Sequence, residues 1–119
     1  MARTEVTAID LGGQLDYDGD VLTWSACDNV NGNFVTHTGR EIILVRNDNV
    51  GTQSFTVVSV EDAMLRTKDA TKTVGIGAYH TFGPYPIKGW DSAGTLEFDA
   101  GAADVYVCVL RLPSSWAGR

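Results

Sequence analysis

Apolar positions along this chain alternate with polar ones over short stretches, and the 3.6-residue spacing of a helix is nearly absent. Residues 21–26 open the pattern as a strand, and residues 34–37 form a shorter one. Residues 42–45 and 105–112 are apolar on both faces, as central strands are when both sides are covered. Residues 54–60 are rich in β-branched side chains and follow residues 42–45 as the return arm of a hairpin. Residues 73–77 and 78–82 predict a further pair, and residues 95–99 alternate cleanly enough to be half buried. Residues 6–9 predict one short strand near the start, and residues 61–64 a single helical turn.

Turn chemistry separates these segments. Asp28-Asn29-Val30-Asn31-Gly32-Asn33, Thr38-Gly39 and Asn47-Asp48-Asn49-Val50-Gly51 supply residues that tolerate left-handed backbone. Gly83-Pro84-Tyr85-Pro86 ends one strand and Pro113 another, because proline cannot donate to a ladder. About eight strands with regular turns predict an all-β chain, a single jelly-roll-like β-sandwich. Residues 1–20 form an extended N-terminal arm, 21–113 the sandwich, and 114–119 a short C-terminal tail. Whether the strands pair as a jelly roll or as an immunoglobulin-like Greek key is not written in the periodicity.

A chain of 119 residues is one domain with room for a real core. No apolar run approaches the ~20 residues of a membrane-spanning helix. Residues 1–5 lack the apolar segment of a signal peptide, which predicts assembly in the cytoplasm where the chain is made. The net charge of −6 argues against a nucleic-acid partner, which needs clustered Lys and Arg. The one basic concentration, Arg66, Lys68 and Lys72, is interrupted by Asp69 and reads as a solvated loop. Cys27 and Cys108 sit in apolar strand contexts and read as buried free thiols; neither belongs to a CxxC or zinc spacing.

Motifs that carry chemistry are sparse in the chain. Asp16-Tyr17-Asp18-Gly19-Asp20 resembles half of a calcium loop, but glycine stands at its fourth position and Cys27 at its twelfth, where an EF-hand needs glycine at the sixth and glutamate at the twelfth. His37 and His80 lack partners at ligand spacing. Gly75-Ile76-Gly77 lacks a third glycine and a following helix. Glu61 and Asp62 are adjacent, so on a strand they face opposite ways. There is no Gly-x-Ser-x-Gly elbow. No catalytic, cofactor or metal residue is therefore expected. The aromatic residues are more suggestive. Tyr85 and Trp90 bracket a proline-bounded loop containing Pro86, and Trp116 lies beyond the last strand; each either packs locally or contacts another subunit.

A set of segments spanning roughly residues 21–113 carries a resemblance. It comprises Asn31-Gly32-Asn33 before a strand, Thr38-Gly39-Arg40-Glu41 entering Ile42, Leu44, Val45, Arg46 and Asn47, and the strand from Thr56 to Val60. Phe82-Gly83-Pro84-Tyr85-Pro86, Gly89-Trp90 and Val109-Leu110-Arg111-Leu112-Pro113 complete it. Together these resemble small virion proteins of tailed DNA bacteriophages, the head decoration or cement class. The resemblance implies a non-enzymatic protein on the outer surface of the virion capsid. Its partners would be the major capsid protein and further copies of itself, with a trimer at local three-fold positions as one arrangement, and neither nucleic acid nor membrane. The expected contact residues are Arg3, Glu5 and Asp10 in the arm, Tyr85, Pro86 and Trp90 in the loop, and Trp116 in the tail. Two other classes fit the same pattern: a head–tail connector or tail component, and a receptor- or glycan-binding β-sandwich module.

Overall fold

The computed structural model describes residues 3–11, 22–60 and 68–112. The acidic segment around Asp16, the helical turn expected at 61–64 and Trp116 lie outside the described residues. Those residues form ten strands and no helix. In chain order the strands are β1 (Thr4–Glu5), β2 (Ile9–Asp10), β3 (Ser25–Ala26), β4 (Asn33–Thr36), β5 (Glu41–Asn47), β6 (Gln53–Val58), β7 (Ala70–Val74), β8 (Tyr79–Phe82), β9 (Thr95–Ala100) and β10 (Val105–Arg111). They make two mixed sheets. The first runs β1-β4-β9-β6-β7; the second runs β2-β10-β5-β8, with β3 also paired to β10. Only β1 on β4 and β2 on β10 are parallel.

Both sheets feed one core. Alternation on β5 turns Glu41, Ile43, Val45 and Asn47 inward, and the same parity on β10 turns Val105, Val107 and Val109 toward them. The other sheet supplies Val35, Phe55, Val57, Val74, Leu96 and Phe98. Phe55 sits at the centre: its ring lies 5.0 Å from that of Phe82 on the opposite sheet and 5.5 Å from that of Phe98 on its own. Among the described residues no buried side-chain polar atom lacks a hydrogen-bond partner, as a close-packed interior requires.

The strand count exceeds the expected eight because of β1 and β2. Two residues are too few to show a period, so pairing to a neighbour, not alternation, defines these strands. They flank Val6, which is 5 % exposed and belongs to the core. Residues 3–11 therefore pass from the edge of one sheet to the edge of the other. Of the described residues of the strand expected at 21–26, Ser25–Ala26 pair as a strand. The strand expected at 73–77 stops at Val74, because residues 75–78 form a tight turn with Gly77 at φ +70° and the Ala78 N–H donating to the Gly75 carbonyl.

On the outward side of β10, Cys108 is 0 % exposed and the Thr23 N–H reaches its sulfur. Burial raises its pKa and that hydrogen bond partly offsets the rise. Burial pushes the Cys27 thiol up to about 12. Both cysteines are free.

Truncating Phe55, which is 0 % exposed, removes the ring that joins the two sheets. Phe55→Ala is expected to lower the unfolding free energy by about 3–5 kcal/mol, read as a lower urea midpoint at unchanged slope.

Candidate functional site

Three polar clamps stand at the margins of the core. The largest centres on Glu41, whose side chain is fully buried although it opens an otherwise apolar strand. Its Oε1 accepts from the N–H groups of Thr38 (2.9 Å), Gly39 (3.2 Å) and Arg40 (3.2 Å). Its Oε2 accepts from the Thr38 hydroxyl (2.7 Å) and from Arg111 Nε. The tight turn at Thr38-Gly39 makes this possible, since Gly39 takes φ +92° and points successive N–H groups at one carboxylate. Arg111 then donates to Asp10 Oδ1 (3.0 Å) and to the Thr36 carbonyl (3.0 Å). One ion pair thus links β5, β10, β2 and β4, and through β4 both sheets. Burial alone would push the Glu41 carboxyl up, but Arg111 and the Thr38 donors outweigh it and hold the group below its ordinary value. The hydrogen bond to Glu41 likewise raises the Arg111 pKa, with Asp10 adding to it.

A second clamp is built on Arg3. Its Nη1 donates to Asp99 Oδ1 (2.7 Å) and to the carbonyls of Asn33 and Phe98 (3.3 Å each), and its Nε lies 3.5 Å from Glu97. Gly32, at φ +83°, leaves the room: a Cβ there would come within 2.3 Å of both Arg3 and Asp99. Beside it, Asp28 accepts from the Thr4 hydroxyl (2.6 Å) and the Asn31 N–H (3.0 Å), which hold its carboxyl down at about 2.

The third clamp holds the loop after β8. The side chain of His37 is fully buried between Asp91 Oδ1 (Nδ1, 3.0 Å) and the Tyr85 carbonyl (Nε2, 2.9 Å). The carbonyl can only accept, so Nε2 carries a proton. Asp91 also accepts the Gly94 N–H at 2.8 Å. Tyr85 and Trp90 stack on each other with centroids 4.3 Å apart, and both pack against the core.

Of the contact residues expected from the sequence, Arg3, Asp10, Tyr85 and Trp90 are thus engaged within the chain. Tyr85 and Trp90 come together, whereas Arg3 and Asp10 sit on different sheet edges. Glu5 and Pro86 are exposed. Trp116 lies outside the described residues. Sequence reasoning missed Glu41, Arg111 and His37 as clamp residues. A signal existed for the first pair: each is a charge at the inward parity of an apolar strand, aligned with Ile43 and Val45 in one case and with Val107 and Val109 in the other. It also missed an aromatic stack on the outer face of the second sheet, where the Arg46 guanidinium lies 4.9 Å from the Trp24 ring and 4.8 Å from the Tyr106 ring.

Comparison of the chain with protein families, with curated proteins and with solved structures finds no match. The functional reading therefore rests on the residues themselves.

Two outcomes follow from the Glu41 clamp. Arg111→Met leaves the buried carboxylate without its counter-charge and is expected to cost about 3–5 kcal/mol in denaturant unfolding. Because the folded-state pKa of Glu41 lies below the unfolded value of about 4.3, its contribution is present above that value and is lost as pH falls through the lowered folded one. Glu41→Gln should therefore be less stable than the parent at neutral pH and show a shallower loss of stability as pH falls below the unfolded carboxyl value of about 4.3. Equal slopes for the two proteins would assign the acid sensitivity elsewhere.

Proposed function

We propose that this protein is a capsid decoration protein of a tailed bacteriophage, a jelly-roll β-sandwich that binds the outer face of the expanded head and bridges neighbouring capsid subunits. The single observation that carries the reading is the use made of its polar groups. Glu41, Arg111 and Asp10, then Arg3, Glu97 and Asp99, and then His37 and Asp91 all tie one strand or loop of the chain to another. Such cross-linking suits a block that transmits load between partners.

Two further features support it. Setting aside the short edge strands β1 and β2, the sheets run β3-β10-β5-β8 and β4-β9-β6-β7. Every connection crosses between sheets except that between β6 and β7, as in a jelly roll. The segments that carry the resemblance also fall on structural positions: Thr38 to Asn47 on the Glu41 turn and β5, Tyr85 and Trp90 on the His37 clamp, and Val109 to Arg111 on β10. In this reading the protein works without chemistry. A ligand that binds only the expanded lattice stabilises it by mass action, and each specific contact buries on the order of 1,000 Å² or more.

The test is co-sedimentation of the purified protein with expanded, empty shells of the same phage and with unexpanded procapsids. Saturable binding at hundreds of copies to expanded shells alone, with a raised shell melting temperature, is the expected result. Binding at only a few copies per particle would move the protein to a connector or tail position, and no binding to either shell would remove the capsid reading.

A further inference from the structure

Of the six exposed large apolar side chains among the described residues, Leu22, Tyr79 and Ile87 stand elsewhere and three mark loop tips. Val30 is 77 % exposed, Val50 92 % and Ile76 64 %. Each stands in a different loop: Val30 between β3 and β4, Val50 between β5 and β6, and Ile76 between β7 and β8. Turn positions of this kind ordinarily carry Gly, Asn, Asp or Ser. A single exposed aliphatic needs no explanation; one at three separate loop tips does if the loops share an end of the molecule.

They do. The Cys27 N–H donates to the Val105 carbonyl (3.0 Å), and the Asp48 N–H to that of Asp104 (3.0 Å). Asn49 Nδ2 donates to Asp104 Oδ1 (2.8 Å). The Gly77 N–H donates to the Asn47 carbonyl (2.9 Å), and Asn47 Nδ2 to that of Gly75 (3.3 Å). The strand orders then set the sequence of loops across this end: β3–β4, β9–β10, β5–β6, β7–β8. The β9–β10 loop contributes exposed Ala103. Val30, Ala103, Val50 and Ile76 therefore succeed one another across the end, on loops spaced roughly as neighbouring strands are, ~5 Å apart.

Charge narrows what such a row fits. Asp48 and Asp99 at this end are paired with Arg46 and Arg3. Asp28 and Asp104 have only neutral donors as partners, Thr4 and Asn31 for the first and Asn49 for the second. An apolar row beside uncompensated carboxylates is repelled by anionic headgroups and complements a protein groove bordered by Lys or Arg.

We propose that this loop end, and not the N-terminal segment or the Tyr85 to Trp90 loop, is the surface that docks on the capsid shell, seated in an apolar groove with a basic border. The proposal rests on the decoration reading and names the face that reading needs. Two of the four loops are pinned from within: Asn47 is fully buried and its amide also donates to the carbonyls of Gly51 (3.0 Å) and Val74 (2.9 Å). Little ordering is therefore required on docking.

The experiment compares the parent protein, the triple variant Val30→Ser/Val50→Ser/Ile76→Ser and the control Ile87→Ser, whose residue is 48 % exposed outside these loops. Each is titrated onto expanded shells at low and high salt, and thermal unfolding checks that all are folded. The expected result is a loss of at least about tenfold in shell affinity for the triple variant, parent-like binding for Ile87→Ser, and weaker parent binding at high salt. Parent-like binding by a folded triple variant overturns the docking surface and leaves the decoration reading standing. Failure of the parent itself to bind removes that reading and this surface with it. Pelleting of the parent, but not of the triple variant, with phosphatidylcholine vesicles would overturn the assignment in favour of a lipid surface.

Discussion

The structure depends on how β5 is closed at its two ends. Its inward side chains read Glu41, Ile43, Val45, Asn47, so the strand at the middle of its sheet presents two apolar residues to the core and a buried polar one at each terminus. A buried carboxylate is tolerable only with a counter-charge and a full set of donors, and a buried amide only with its hydrogen bonds made. Glu41 meets the first condition by gathering three backbone N–H groups, the Thr38 hydroxyl and Arg111. Asn47 meets the second by donating to Gly51, Val74 and Gly75 and accepting from the Asn49 N–H. Each terminus thereby dictates the geometry of the turns around it. Because Arg111 must reach Glu41, β10 is held in register beside β5; because Arg111 also takes Asp10 and the Thr36 carbonyl, the N-terminal segment and the other sheet are fixed to the same point.

This arrangement explains which parts of the fold were legible in advance. The long strands, β5, β6, β9 and β10, announce themselves by period and by β-branched content, and the turns by Asn, Asp and Gly. What alternation cannot convey is pairing. Strands β1 and β2 are two residues each, defined by pairing to β4 and β10, with Arg3 reaching Asp99 and Asp10 reaching Arg111 beside them. Residues 3–11 read in the sequence as part of an extended arm with one short strand at 6–9, whereas the two strands flank that stretch and Val6 enters the core between them.

The candidate site was legible in part and for a related reason. Tyr85 and Trp90 stand out as aromatics in a proline-bounded loop, but the sequence does not say that they stack on each other and that His37 holds their loop from beneath. An aromatic residue free to meet a partner and one that covers its own core look the same in one dimension. The charges at inward parity, Glu41 and Arg111, were the stronger signal, since an ionised group facing a core demands a partner of opposite sign at a matching depth.

Once the self-engaged residues are set aside, the remaining surfaces differ sharply. The outer face of the first sheet carries Ser54, Thr56, Thr71, Thr73, Glu97 and Asp99, with Thr56 and Thr71 bonded to each other at 3.1 Å and Arg3 lying over the two carboxylates. It is hydrated and already neutralised in part. The second sheet would expose aromatic and aliphatic side chains, but Arg46 fills the space between Trp24 and Tyr106, Asp48 holds its guanidinium, and Tyr79 meets the Trp24 ring edge-on. A guanidinium stacked on two rings covers apolar area while keeping a charge at the surface, which protects a sheet face from non-specific association. On the second sheet Tyr79 stays 67 % exposed with its ring against Trp24, whereas the loop end carries Val50, 92 % exposed on a turn that its own buried asparagine holds in place. Rigidity and exposure together are the unusual pairing: a mobile loop could fold its valine back against the body, whereas one fixed by Asn47 keeps the side chain outward until another molecule covers it.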